Sequence, residues 1–261
     1  MLNSHTTVSE FIFTSVSAMS TRNYSLLSPS PDLEDVKGIH DFRVDIRRMK
    51  SVLKSCLTLL DQTWGDNYLN ELRWVDEVIS PIRNAQVLLD RFDAYSEPLR
   101  IRNKEILDSL RKDLVDCQSK LQLELNSLTF QQFLSYQNFE IKESIPTIHS
   151  NEPVNRYLKK FNTAAWRSLS KVAVKEGDDQ LHKVRIKAKE VKYLAEASLP
   201  ILGKSLKEQA KIASKVQISL GCLQDSLMMT AVVSSPEILK YEEKEQKQIK
   251  NDWHRFVKRN F

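Results

Sequence analysis

Apolar residues recur every three or four positions along almost the whole chain, and no segment alternates apolar and polar residues long enough to make a convincing strand. A period near 3.6 is the signature of helices with one buried face, so the chain is expected to be all-α. Only five glycines and eight prolines interrupt its 261 residues, which favours long helices over a turn-rich sheet. Helices are expected near 7–27, 38–60, 65–79, 84–95, 98–127 and 129–143, and then near 152–174, 179–198, 203–220, 223–234 and 237–258. The expected breaks are Ser28-Pro29-Ser30-Pro31, Gly65, Ser80-Pro81, Pro98, the Pro146–Pro153 stretch, Gly177-Asp178-Asp179, Pro200 with Gly203, and Ser235-Pro236.

Several classes are set aside early. No run approaches the roughly 18 continuous apolar residues that span a bilayer. The N-terminal Phe11-Ile12-Phe13 patch lacks the basic and long apolar regions of a signal peptide. Cys56, Cys117 and Cys222 are odd in number and far apart, so neither a disulfide framework nor metal-ligand spacing follows. A reducing, cytoplasmic setting is the simplest expectation. The net charge of +5 is mild, so its placement says more than its size.

That placement is repeated. Ile39-His40-Asp41-Phe42-Arg43-Val44-Asp45-Ile46-Arg47-Arg48-Met49-Lys50 aligns with Leu181-His182-Lys183-Val184-Arg185-Ile186-Lys187-Ala188-Lys189-Glu190-Val191-Lys192. Histidine meets histidine, bases meet at the third, seventh and tenth positions beyond it, and the apolar pairs fall in register. Further along each half, Ile79-Ser80-Pro81-Ile82-Arg83-Asn84-Ala85-Gln86 has its counterpart in Leu220-Gly221-Cys222-Leu223-Gln224-Asp225-Ser226. Two related bundles facing each other across a pseudo-twofold axis would explain the repeat, with a first half at 1–147 and a second at 148–261.

On a helix, His40, Arg43, Arg47, Lys50 and Lys54 fall within an arc of roughly 80°. His182, Arg185, Lys189 and Lys192 do the same in the second copy, where Glu196 breaks the stripe. Stacked cations repel by about a few tenths of a kcal/mol per pair. Asp41, Asp45 and Glu190 lie off the stripe, so an anion lying along it would relieve that repulsion. Arginine grips two phosphate oxygens at once, and histidine gains charge near a polyanion. A solvated basic face is the plainer reading of either copy alone, and each histidine also fits a structural role. The same spacing in two copies favours binding.

These residues resemble the CHAD family, the conserved histidine α-helical domain. Its first motif is matched by His40, Arg43, Val44, Arg47, Arg48 and Lys50, and its second by Leu181, His182, Arg185, Ile186, Lys189, Lys192, Tyr193 and Glu196. The resemblance covers essentially the whole chain. It implies a stand-alone domain of two helical bundles around a basic central cavity that binds inorganic polyphosphate, in some members on polyphosphate granules. It adds Arg48, Arg83 and Tyr193 to the expected polyphosphate-binding residues. Departures are present: Asn84 and Gln86 stand where the family has acids, and lysine replaces arginine at 50 and 192.

Arg156 and Lys160, with Arg167 and Lys171, share one face of the preceding helix and could widen the site or be a solvated face. Trp64, Trp74, Trp166 and Trp253 are expected in the core or at helix contacts. Catalytic residues, metal ligands and cofactors are not expected. His40-Asp41 is reminiscent of metal-dependent phosphohydrolases, but position 183 is lysine and five histidines are too few for converging ligands. Single-stranded nucleic acid or another phosphorylated ligand would meet the same charge, although the motif helices lack the amides and aromatics that read or stack bases. The expected partners are therefore polyphosphate and possible granule proteins, without a membrane.

Overall fold

A computed structural model describes residues 6–27, 36–136, 153–175 and 177–261. The described residues are almost entirely helical and include no strand, only an isolated bridge between Thr7 and Pro153. The helices are α1 (Val8–Leu27), α2 (Val36–Cys56), α3 (Gln62–Asp93), α4 (Glu97–Arg102), α5 (Lys104–Leu125), α6 (Leu128–Ser135), α7 (Val154–Ala173), α8 (Asp178–Leu202), α9 (Lys207–Val232) and α10 (Pro236–Asn260). The expected breaks at 28–31 and 146–152, and the end of the helix expected to reach 143, lie outside the described residues.

The all-α expectation holds, but helices run through several expected breaks: Gly65 and Ser80-Pro81 lie inside α3, and Pro200 lies inside α8, which ends only before Gly203. α3 runs through Ser80-Pro81. An internal proline loses one backbone hydrogen bond and crowds the preceding turn, a penalty of about 3 kcal/mol. The apolar face nevertheless continues on both sides, with Val75, Ile79, Ile82, Ala85, Leu88 and Phe92 all buried. Each large side chain buried there contributes roughly 1.5–3 kcal/mol, which outweighs the local penalty. α9 likewise passes through Gly221, carried by buried Ala213, Val216, Leu220, Leu223, Ser226 and Met229. Gly65, expected as a break, lies in the first turn of α3. A Cβ there would come within 2.7 Å of Leu57, so the glycine permits close approach rather than a stop. Conversely, Asn103 separates α4 from α5 where one helix over 98–127 was expected.

The chain forms two compact units. Unit 1 comprises 1–81, 118–164 and 193–207, and unit 2 comprises 82–117, 165–192 and 208–261. Each unit therefore draws segments from both sides of the repeat boundary. In unit 1, α1 packs on α2, and the buried side chains include Phe11, Phe42, Ile46, Met49, Leu53, Leu72, Phe130 and Leu134. Unit 2 holds two clusters. One gathers Leu169, Val184, Ala188, Val191, Val216, Leu220 and Trp253. The other gathers Leu88, Phe92, Tyr95, Leu110, Met229 and Ile238. None of the three cysteines is in a disulfide, and burial pushes the Cys56 thiol up to about 11, which leaves it protonated and unreactive at neutral pH.

Candidate functional site

α2 buries Ile39, Phe42, Ile46, Met49, Val52 and Leu53 along one face, which orients the basic stripe away from the core of unit 1. The stripe meets a carboxylate. Arg43 Nε lies 3.3 Å from Asp76, Arg47 Nε lies 3.5 Å from it, and Lys50 Nζ donates to it at 2.9 Å. Arg43 also donates to the Ser80 hydroxyl at 2.9 Å, and Ser80 Oγ donates back to the Asp76 carbonyl. Burial opposes ionisation of Asp76, but Arg47, Lys50 and Arg43 outweigh it and hold the carboxyl below its usual range. Three cations thus share the Asp76 carboxylate.

Tyr193 belongs to the same cluster. It is buried, and its hydroxyl is hydrogen-bonded to Arg47. Burial raises its pKa, so the phenol stays neutral and adds no negative charge. Arg48 points elsewhere: it donates to Asp45 at 3.2 Å and to Glu196 at 3.0 Å. Arg22 completes this second network through Asp41 and Asp45. Glu196, which interrupts the basic pattern in sequence, therefore serves as a counter-ion for Arg48. His40 and Lys54 are exposed towards opposite ends of the α2 stripe, and Arg156 and Lys160 are exposed on α7.

Unit 2 carries the second copy on α8. His182 is exposed, with Nδ1 3.4 Å from the Gln224 side-chain oxygen. Arg185, Lys189 and Lys192 follow, each partly buried. Asp225 on α9 is the local acid. Burial lifts its carboxyl above the usual range, against the opposing fields of Arg185, Arg91, Arg83 and Lys189. No direct salt bridge to Asp225 occurs among the described residues. Of the expected residues in this unit, Arg83, Arg185 and Lys189 face Asp225, while Arg83 also lies 3.8 Å from Asp90.

Sequence reasoning missed Asp76, Arg91 and Glu242. Glu242 is fully buried, and both of its oxygens are engaged by Arg91, with Tyr95 and Ser226 hydroxyls donating as well. Gln246 donates to Ser226 at 3.1 Å, closing the network. Nothing local marks these residues, because Arg91 and Glu242 are 151 positions apart. Asp76 had a usable signal: it lies one turn before Ser80, just ahead of the segment matched within the repeat. No group of three or more His, Cys, Asp or Glu that could hold a metal ion is found among the described residues. No helix there is long and apolar enough to cross a membrane.

Comparison with solved structures returns the same architecture. The CHAD domain from Ricinus communis superposes with a TM-score of 0.69 at 17% identity, covering 95% of this chain and 87% of that one. PptA from Streptomyces chartreusis superposes with a TM-score of 0.72 at 15% identity, covering 96% and 99% respectively. At such identities the likeness speaks for the fold alone. A comparison with curated proteins gave no match. The family described as the CHAD domain matches residues 27–234, a span that includes both His-headed helices and the clusters around Asp76 and Asp225. The chain belongs to the CHAD domain family.

Proposed function

We propose that this protein binds inorganic polyphosphate through its two basic clusters, without catalysing a reaction on it. The observation that carries the reading is the gathering of Arg43, Arg47 and Lys50, three cations of one helix face, on the single carboxylate of Asp76 in unit 1. An anion with repeated phosphates can offset the remaining repulsion, and the arginines can each engage two oxygens. In unit 2, Arg185 and Lys189 face Asp225 without a direct bridge. Arg91 is shared with Glu242 and is not counted as a ligand. His40, Lys54, His182, Lys192, Arg156 and Lys160 extend the positive surface, and the family assignment supports the same ligand. Residence on polyphosphate granules in the cytoplasm follows as part of this reading.

The test is titration with long-chain polyphosphate, tripolyphosphate and single-stranded DNA across a salt series. The long chain is expected to bind tightest, with affinity falling steeply as salt screens the contacts. Arg43→Ala combined with Arg185→Ala is expected to weaken binding more than either change alone while helicity persists. Equal affinity for DNA and polyphosphate would overturn the ligand assignment, and steady release of orthophosphate would overturn the binding-only role.

A further inference from the structure

Unit 1 has another recess, of different chemistry. α3 places Trp64, Tyr68, Glu71 and Trp74 at spacings of four, three and three residues, within about 120° of one face. Asp76 lies about 140° around the helix from Glu71, so this face is separate from the basic cluster. α6 approaches with Thr129, Gln132 and Phe133, followed by Ser135 and Tyr136. Together with Glu71 and Trp74 they line a cleft of about 690 Å³. That volume is within the range of small-molecule sites.

Its walls are aromatic and set at angles. Trp74 and Phe133 meet nearly perpendicularly, with centroids 6.3 Å apart and planes at 81°. Tyr136 forms a further wall, fixed by the Trp64 indole N–H donating to its hydroxyl at 3.0 Å and by edge contact with Tyr68. Phe130 backs Trp74 at 5.7 Å. The acid in the lining, Glu71, has no hydrogen bond or ion pair among the described residues. Glu71 is exposed at the mouth of the cleft, where partial desolvation still raises its carboxyl above the usual range, and a cation beside it would reverse that effect.

We infer that the cleft formed by Glu71, Trp74, Phe133 and Tyr136 binds a small alkylammonium ligand, with the rings around the cation and Glu71 as its counter-ion. Aromatic rings attract ammonium groups through their negative faces, and a methylated ammonium loses less hydration on entering than a metal ion does. A neutral guest would gain nothing from Glu71, and an anionic one would be repelled by it. This inference is independent of polyphosphate binding, because it uses none of the basic residues.

The experiment is titration of the whole protein with choline at constant ionic strength, followed by tryptophan fluorescence and calorimetry. The neutral isostere 3,3-dimethylbutan-1-ol is titrated in parallel. Choline is expected to bind at least about fivefold more tightly than the alcohol. Glu71→Gln is expected to weaken choline about tenfold and leave the alcohol, the melting temperature and polyphosphate binding unchanged. Trp74→Phe, which keeps an aromatic wall, should weaken choline less than Glu71→Gln. Equal binding of choline and the alcohol would overturn the inference, as would no binding of choline or full retention in Glu71→Gln.

Discussion

Asp76 and Asp225 each stand among cations from a His-headed helix, yet their environments pull their carboxyls in opposite directions. Asp76 is bonded directly by Arg43, Arg47 and Lys50 and titrates below its ordinary range. Asp225 feels four cations at longer range, and burial raises it. Within the repeat, Asp76 aligns with Gln217, and Asp225 aligns with Asn84. Each copy therefore keeps one acid where the other has an amide, at positions about two helical turns apart. The repeat retained one carboxylate per basic stripe but not its place. The first stripe is consequently bonded directly to its acid, whereas the second meets Asp225 only at longer range.

Five variants would break or sharpen this contrast. The largest effect concerns the residue that keeps Arg91 from Asp225. Glu242→Ala would leave Arg91, Tyr95 and Ser226 buried without their acceptor, and about 4 kcal/mol of stability should be lost in urea unfolding. A loss below about 1 kcal/mol would show that Arg91 transfers readily to Asp225, erasing the distinction between the two acids.

Next come the acids themselves. Asp76→Asn is expected to destabilise by about 2 kcal/mol, since three cations lose their shared partner, while polyphosphate affinity rises because a competing anion is gone. The Asp76 carboxyl lies below its unfolded value. Its contribution is present above the ordinary carboxylate range and is lost as pH falls through the folded pKa. Asp225 has the opposite sign. Its folded pKa is raised, so stability declines as pH rises from the ordinary carboxylate range to that value. Asp225→Asn should therefore be neutral or slightly stabilising at pH 7 in thermal melts. Equal destabilisation by the two asparagine variants would refute the contrast.

A smaller effect tests the alignment. Gln217→Glu places an acid at the position equivalent to Asp76, and the buried Gln217 side-chain oxygen has no hydrogen-bond partner among the described residues. Polyphosphate affinity should fall about fivefold, corresponding to roughly 1 kcal/mol; unchanged affinity would separate this position from the second stripe. Smallest is Gly221→Ala. The site lies inside α9, and a Cβ there would meet nothing within 4 Å. Alanine should therefore stabilise by up to about 1 kcal/mol in denaturant melts.

Much of the molecule was legible in the sequence alone. The core face of α2 and the separation of its stripe follow from a 3.6-residue period, and Phe42, Ile46, Met49 and Leu53 are all buried as expected. Less legible were Pro81 and Gly221, whose local preferences lose to apolar faces that continue beyond them. Val44 and Ile186, aligned in the repeat as an apolar pair, are not core residues, and Ile186 is 49% exposed. Glu196 reads as a defect in one stripe and is instead the partner of Arg48 on another helix.

The chain's own pattern was enough to establish the helices, the paired basic stripes and the family, because periodicity and spacing are properties of contiguous residues. Which acids answer those bases was not available from it. Asp76, Glu196 and Glu242 lie 26 to 151 positions from the cations they bind. Their choice depends on which helix faces are brought within about 3 Å, and on burial that raises one carboxyl while direct cations lower another.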